Sequence, residues 1–240
     1  MIPKNYYKIA PKKISKLVNY NPNFSKHNIK IPFRIMILGG TGAGKTTTLL
    51  DLILQAFNGC FHNVIIFCRN QDEFLYNYLL ERAGKKKLEK SLHFIPVDNA
   101  KTDIPKPEQL LQEFEINYKD EQTLVCFDDL SNEKDQKNII EYFIRGRKLN
   151  MSCCYLAHSF YDVPKKLRLQ ITHLFIKKLR STGDLKMIIR DCSLGIDLNY
   201  LIHLYNQIVG NNEDKTKFFM IDLQTDKDKL KFRDCYNPVV

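Results

Sequence analysis

Short runs of apolar residues recur along the 240-residue chain, separated by stretches whose apolar residues are spaced three or four apart. Short apolar runs are typical of buried strands, and the wider spacing is typical of amphipathic helices. The predicted strands are Phe33–Leu38, Asn63–Cys68, Leu92–Val97, Thr123–Phe127, Met151–Ala157 and Thr172–Ile176, with Lys217–Leu223 as an edge strand. The predicted helices are Thr46–Phe57, Asp72–Ala83, Pro107–Asn117, Lys134–Arg145 and Leu198–Val209.

This alternation of strands and helices predicts an α/β fold with a mainly parallel central sheet and helices on both faces. Ligands of such sheets bind at the carboxyl ends of the strands. At 240 residues and 44% hydrophobic content, the chain is long enough for one sizeable core. We expect one domain over residues 33–240, preceded by a basic N-terminal arm over residues 1–32.

The segment between the first strand and the first helix reads GGTGAGKT and predicts a phosphate-binding loop. Its glycines permit positive φ, so that backbone N–H groups can converge on phosphate oxygens. Lys45 can reach the terminal phosphates, Thr46 can offer a hydroxyl to Mg²⁺, and the helix N-terminus favours anions. The predicted nucleotide-binding residues are Gly39, Gly40, Thr41, Gly42, Ala43, Gly44, Lys45, Thr46 and Thr47.

Two adjacent carboxylates end the apolar run Thr123–Phe127. In a nucleotide-binding sheet this position suits a magnesium carboxylate, which predicts Asp128 as a metal ligand together with Thr46. Asp129 points in a different direction and can orient, or take a proton from, the water that attacks the terminal phosphate.

Two further residues lie near the strand Met151–Ala157. Arg147 precedes that strand and is a candidate arginine finger, a role that is worth on the order of 10³–10⁵-fold in rate. With the usual strand order it lies away from its own nucleotide site, so we expect it to act on a neighbouring subunit; the alternative is simple complementation of a helix dipole. His158 follows the strand and can contact the terminal phosphate or the attacking water; the alternative is a structural histidine in a loop.

The net charge of +10 is concentrated at the start of the chain, because residues 1–50 contain nine Lys or Arg residues and no Asp or Glu. A basic arm carrying aromatic residues can bind nucleic-acid phosphates or an anionic partner. The alternative is compositional drift, since Lys is far more abundant than Arg.

The remaining composition narrows the class of protein. The longest apolar runs are strand-sized and no secretory leader is visible, so we expect a soluble intracellular protein with no membrane span. Four cysteines lie in or beside predicted strands, where Cys usually acts as a small buried hydrophobe: Cys68, Cys126, Cys153 and Cys154. The spacing of the seven cysteines does not match that of zinc ligands.

Several motifs together resemble the genome-packaging ATPases of large eukaryotic DNA viruses, virophages and Polinton-like elements, within the FtsK–HerA superfamily. They are GGTGAGKT, the FDD at Phe127–Asp129, the GRK at Gly146–Lys148, VPKKLR at Val163–Arg168 and the strand THLFIKK. The resemblance covers about Phe33 to Ile176, together with the IDL near Ile221. It implies a P-loop NTPase of the additional-strand, RecA-like division.

The resemblance also implies a function, namely an ATP- and Mg²⁺-dependent ring that moves double-stranded DNA into a preformed capsid. Capsid or portal proteins would be partners, and the location would be the virion or a cytoplasmic virus factory. Lys45, Asp129, Arg147 and His158 would be the catalytic residues. The family usually has a glutamine where this chain has His158. A neutral imidazole can donate one hydrogen bond, but it does not reproduce an amide's simultaneous donor and acceptor on one short arm.

Two other functions stay open from the residues alone. A nucleoside or nucleotide kinase would need an Arg-rich lid, for which only Arg168 and Arg180 are available. A nucleotide-dependent switch or scaffold would bind nucleotide with little turnover. The guanine-reading NKxD pattern is absent, since residues 132–135 read NEKD.

Overall fold

The protein is described by a computed structural model that covers residues 19–85, 91–210 and 212–239. Strands in these residues form one nine-stranded sheet with the order β3-β2-β4-β5-β1-β6-β7-β8-β9. The strands are β1 (Arg34–Leu38), β2 (Asn63–Cys68), β3 (Leu92–Pro96), β4 (Thr123–Asp128), β5 (Met151–Ala157), β6 (His173–Ile176), β7 (Phe219–Asp222), β8 (Phe232–Asp234) and β9 (Asn237–Pro238).

The first six strands, β1 to β6, are parallel to one another. Each of the last three strands pairs in antiparallel fashion with the strand before it in the chain. The predicted mainly parallel sheet is therefore confirmed. β5 lies between β4 and β1, so the ends of these three strands meet at one edge. The strand predicted over Lys217–Leu223 is present as β7, but its predicted edge position is wrong, because β8 pairs with the outer side of β7 and β9 extends the sheet further.

Helices cover both faces of the sheet, as predicted. They are α1 (Phe24–His27), α2 (Lys45–Asp51), α3 (Phe74–Lys85), α4 (Ala100–Asp103), α5 (Pro107–Glu113), α6 (Lys137–Arg145), α7 (Lys165–Arg168), α8 (Gly183–Cys192) and α9 (Leu198–Tyr205). Leu52–Ala56 continues α2 and Asn206–Gly210 continues α9, each as a π-helical turn, and Gly146–Leu149 is a 3₁₀ turn after α6. The five predicted helices are present with shifted ends, whereas the four helices α1, α4, α7 and α8 were not predicted.

Side chains of the central strands alternate between two hydrophobic cores, as the two-residue period of a strand requires. In β5, Cys153 and Tyr155 face the core under α5, α6 and α9, whereas Cys154 and Leu156 face the core under α2 and α3. The four strand cysteines are buried among these apolar side chains, as expected. None of the helices in the described residues combines the length and apolar character needed to span a bilayer.

Part of the predicted basic arm packs onto the domain. Ile29 and Ile31 are buried in the same core as α2, and the backbone carbonyl of Tyr20 accepts a hydrogen bond from Gln122 just before β4 (2.9 Å). Residues 1–18, which carry most of the arm's predicted charge, lie outside the described residues. The proposed division at residue 32 stays a prediction, although Ile29 and Ile31 before it contribute to the core.

Candidate functional site

The predicted phosphate loop connects β1 to α2 at the carboxyl edge of the sheet. Its first residues are anchored to neighbouring strands, since the Gly39 N–H donates to the Ala157 carbonyl (3.1 Å) and the Gly40 N–H donates to the Lys178 carbonyl (3.0 Å). Gly42 (φ 72°) and Gly44 (φ 86°) adopt the left-handed conformation that favours glycine. The loop therefore has the anchored, positive-φ backbone that the sequence predicts.

Gly44 is also constrained by a close neighbour. A Cβ at this position would lie 2.5 Å from the carbonyl oxygen of Lys215, in the segment before β7. That carbonyl is held in place by the buried side chain of Lys177, whose Nζ donates to it at 2.6 Å. Glycine is thus required at residue 44 both by backbone conformation and by the strand-flanking segment that packs against it.

Lys45, His158 and Asp129 are linked by direct contacts. The Lys45 Nζ lies 3.1 Å from His158 Nδ1, and His158 Nε2 lies 3.2 Å from Asp129 Oδ1. Lys45 also donates to the carbonyl oxygens of Gly39 (3.0 Å) and Gly40 (3.3 Å). Three residues singled out separately in the sequence are therefore brought together, because β5 places His158 between the ends of β1 and β4.

One tautomer of the neutral imidazole fits both of these contacts. An ammonium group can only donate a hydrogen bond, and a carboxylate can only accept one. A neutral His158 with its proton on Nε2 satisfies both neighbours, accepting from Lys45 and donating to Asp129. The ring thus supplies an acceptor and a donor at once, on its two nitrogens, which the sequence argument did not expect of a histidine in place of glutamine.

Asp128 lies deeper in the same cleft than Asp129. Its side chain is buried and accepts a hydrogen bond from the hydroxyl of Tyr76. Burial raises the pKa of Asp128, and the Tyr76 hydrogen bond and the positive charge of Lys45 only partly oppose that effect. Burial also lowers the pKa of Lys45, against the attraction of Asp128 and Asp129. Both charged groups are therefore held where a ligand of opposite charge would stabilise them.

Thr46 contributes an oxygen to the same wall of the cleft. Glu73 lines the same wall, and its pKa is raised by burial and by the nearby charge of Asp128, an effect that the Thr46 hydroxyl partly opposes. A hydroxyl and a carboxylate are hard oxygen donors of the kind that Mg²⁺ uses. The residues predicted to hold Mg²⁺, Thr46 and Asp128, thus fit that ion in chemistry and in placement.

The cleft that these side chains line has a volume of about 400 Å³ and also includes Thr47 and Lys215. A second cavity of about 470 Å³ adjoins the other side of the loop, where Thr41 and Ala43 face Leu179 and Arg180. Arg180 Nη2 donates to Thr41 Oγ1 at 3.1 Å. All nine predicted nucleotide-binding residues thus lie in this loop or in the first turn of α2, and a cavity adjoins each side of the loop.

Arg147 is the one predicted catalytic residue that does not reach this cleft. It is exposed in the 3₁₀ turn Gly146–Leu149, which leads into the amino end of β5. Its positive charge helps to lower the pKa of Arg34, which lies at the start of β1. The phosphate loop follows the other end of that strand. Arg147 therefore lies at the opposite edge of the sheet, in the direction that the sequence argument expected.

Sequence reasoning missed Glu73 and Tyr76 at the site, and it considered Arg180 only as a lid residue of a kinase. Glu73 and Tyr76 come from the start of α3, which belongs to none of the motifs, and Arg180 follows β6. The available signal was positional: each comes after the carboxyl end of a parallel strand, where ligand-contacting residues of such sheets collect.

Comparison with known proteins identifies the family. A family model described as "Poxvirus A32 protein" matches residues 21–237. The chain belongs to the poxvirus A32 protein family. Among curated A32-family relatives, the DNA packaging protein OPG160 of monkeypox virus is 26% identical over 211 residues, which is 85% of this chain and 67% of the relative. OPG160 of vaccinia virus (strain Copenhagen) is 27% identical over 191 residues, 77% of this chain and 67% of the relative.

Solved structures support the same fold for this A32-family chain. The genome packaging NTPase B204 of Sulfolobus turreted icosahedral virus 2, in complex with ATP-gammaS, matches with a TM-score of 0.56 and 12% identity, covering 88% of this chain and all of B204. B204 of Sulfolobus turreted icosahedral virus, described as a DNA-packaging ATPase, matches with a TM-score of 0.57 and 14% identity, covering 87% and 98%. The predicted P-loop NTPase fold and the resemblance to viral genome-packaging proteins are confirmed.

Proposed function

We propose that this chain is an ATP-hydrolysing motor that translocates double-stranded viral DNA into a preformed capsid. The observation that carries the proposal is the linked set of Lys45, His158 and Asp129 beside Asp128 at the phosphate loop. This set occurs in a chain of the poxvirus A32 family, whose curated relatives are named DNA packaging proteins. Its chemistry is that of phosphoryl transfer to water.

Each side chain has a distinct part in that reaction. Lys45 leaves the carbonyl oxygens of Gly39 and Gly40 to bind the terminal phosphates, and Asp129 orients the attacking water. His158 carries the hydrogen-bonded link between these two residues, so that phosphate binding at Lys45 and water positioning at Asp129 depend on each other. Thr46 and Asp128 would hold Mg²⁺, which neutralises charge on the phosphate oxygens.

Arg147 would complete the site of a neighbouring subunit. It is exposed at the amino edge of the sheet, so a ring in which this edge meets the next subunit's cleft would deliver it to the transferred phosphoryl group. This arrangement makes the homo-oligomeric ring part of the proposal. Double-stranded DNA and a capsid or portal protein are the further partners, with action at the site of virion assembly.

The test is ATP hydrolysis measured against protein concentration, with Mg²⁺, with and without double-stranded DNA. A shared-site motor predicts that turnover per subunit rises steeply with concentration and increases further with DNA. Flat, DNA-independent turnover would contradict the proposal and favour a kinase, and negligible turnover under all conditions would favour a scaffold. The kinase alternative has lost one of its two lid candidates, because Arg168 is buried and forms an ion pair with Asp191 (3.1 Å).

A further inference from the structure

The start of α3 forms one wall of the phosphate cleft, although no motif in the sequence includes it. Glu73 immediately precedes the helix, and its carbonyl accepts from the N–H groups of Tyr76 (2.9 Å) and Asn77 (3.0 Å). The helix follows β2, whose last residue, Cys68, is paired with Asp128 of β4. This topology brings the first turn of α3 beside the carboxylate at the end of β4.

Two side chains from that first turn contact the two residues predicted to hold Mg²⁺. The Glu73 carboxylate and Thr46 line the same wall of the cleft, and the Thr46 hydroxyl partly opposes the rise in the pKa of Glu73. Tyr76 is fully buried against Phe94, with ring centroids 4.9 Å apart, and its hydroxyl donates to Oδ2 of Asp128. Residues 73 and 76 therefore each interact with one of the two expected metal ligands.

The direction of each interaction favours cation binding. When the Thr46 hydroxyl directs its proton towards the Glu73 carboxylate, its oxygen lone pairs are left free to face a cation. When Tyr76 occupies Oδ2 of Asp128, the remaining carboxylate oxygen can face the cleft. Outer residues that orient metal ligands in this way are typically worth 10–100-fold in metal affinity.

We propose that Glu73 and Tyr76 are positioning residues of the magnesium site, acting through Thr46 and Asp128. The inference rests on the proposed function in one respect, namely that the cleft binds a nucleotide with Mg²⁺. It goes further by assigning α3, which none of the sequence motifs includes, to the metal site.

The experiment is equilibrium binding of a fluorescent, non-hydrolysable ATP analogue, titrated with Mg²⁺ and repeated in EDTA. Glu73→Ala should raise the Mg²⁺ concentration needed for half-maximal enhancement of binding by about 10–100-fold and leave the affinity in EDTA unchanged. Glu73→Gln keeps an acceptor for Thr46 and should show a smaller shift. Tyr76→Phe should also weaken the Mg²⁺ response. Tyr78→Phe, which removes a hydroxyl from a partly exposed tyrosine of the same helix, should match the wild type.

Three results would overturn the inference, and they differ from one another. A Mg²⁺ response unchanged in Glu73→Ala and Tyr76→Phe would show that the two residues do not act on the metal. An unchanged Mg²⁺ response with hydrolysis lost in both Glu73→Ala and Glu73→Gln would make Glu73 a group that acts on the water. If the folded wild-type protein binds the analogue equally with and without Mg²⁺, the proposed function fails and the inference fails with it. Because Glu73 is only partly buried, its variants test the idea even if Tyr76→Phe is poorly folded.

Discussion

Two buried aspartates at opposite edges of the sheet have opposite electrostatic surroundings. Asp128 at the carboxyl edge and Asp222 at the amino edge are 8% and 4% exposed. Burial dominates at Asp128 and raises its pKa. At Asp222 burial acts in the same direction, but a hydrogen bond and charge from His173, together with the charge of Arg233, lower its pKa. Neighbouring groups of the chain thus compensate the burial of the charge only partly at Asp128 and fully at Asp222.

The partners of Asp222 show how the amino edge achieves this compensation. Arg233 is fully buried and its Nη2 lies 2.6 Å from Asp222 Oδ2, while its Nη1 donates to the carbonyl of His27. His173 Nε2 lies 3.4 Å from the same carboxylate oxygen. The amino edge thus pairs its charges internally and ties α1 to β8, whereas the carboxyl edge keeps charges in place for a ligand. Incomplete compensation at a buried charge is therefore the feature that marks the functional edge.

The largest expected effect concerns the exposed arginine of the amino edge. Arg147→Ala should lower turnover by on the order of 10³–10⁵-fold without changing nucleotide affinity, because a finger acts on charge that develops in the transition state. Steady-state hydrolysis and equilibrium nucleotide binding would measure the two quantities. Lys148→Ala removes the same charge from the next residue and serves as the control. Equal losses in both variants would assign the effect to general surface charge.

The next effect concerns the compensated carboxylate. Asp222→Asn should lower the free energy of unfolding by about 3–5 kcal/mol, because it leaves the buried Arg233 without its charged partner. Urea denaturation at neutral pH would measure this change. Lys217→Met provides the contrast, since its ion pair with Asp234 is partly exposed and is worth at most about 1 kcal/mol. Similar decreases in the free energy of unfolding in the two variants would show that the buried ion pair contributes no more to stability than the partly exposed one.

Asp128→Asn should change the free energy of unfolding in the opposite direction from Asp222→Asn. A folded-state pKa above the unfolded value means that ionising Asp128 costs stability above that unfolded pKa, so Asp128→Asn should stabilise the ligand-free protein at pH 7 by up to about 1 kcal/mol. The Asn oxygen can still accept from Tyr76. Thermal unfolding would be measured with and without Mg²⁺ and nucleotide. Without ligands, Asp128→Asn should have a higher unfolding midpoint than the wild type. With ligands, its midpoint should rise by less than that of the wild type. If ligand-free Asp128→Asn has a lower unfolding midpoint than the wild type, the contrast drawn between Asp128 and Asp222 is wrong.

The smallest effect is expected when glutamine replaces the bridging residue His158. His158→Gln supplies an amide oxygen for Lys45 and an amide N–H for Asp129, so turnover should stay within a few-fold of the wild type. His158→Ala should lose up to about tenfold, which corresponds to about one hydrogen bond. Hydrolysis rates of the two variants at saturating nucleotide would test the bridge. Comparable losses in Gln and Ala would show that the imidazole itself is needed.

The parts of the fold that could be predicted from sequence are those whose signals are local. The phosphate loop and the strand ending at Asp128 are contiguous motifs, and the usual strand order then brings His158 between them. Glu73 and Tyr76 could not be predicted, because their role depends on α3 lying against β4, to which neither is adjacent in sequence. Their contacts follow from the pairing of β2 with β4, which no local pattern encodes.

The errors at the end of the chain have a related cause. β8 has only three residues, and its central residue is the buried Arg233, so neither length nor apolar alternation indicated a strand. The charge of Arg233 is tolerated there because Asp222 and the His27 carbonyl lie next to it in space. Both partners are distant in sequence, and β7 was therefore predicted to be an edge.

The measurement that tests the account most directly is complementation in mixed oligomers. Arg147→Ala subunits, with an intact cleft, would be mixed with Asp129→Asn subunits, with an intact finger, and hydrolysis would be followed across mixing ratios in oligomers shown to contain both. If the amino edge of one subunit completes the carboxyl edge of the next, the mixture should recover activity that neither variant has alone. No recovery at any ratio would contradict the shared site and leave Arg147 with a role inside its own subunit.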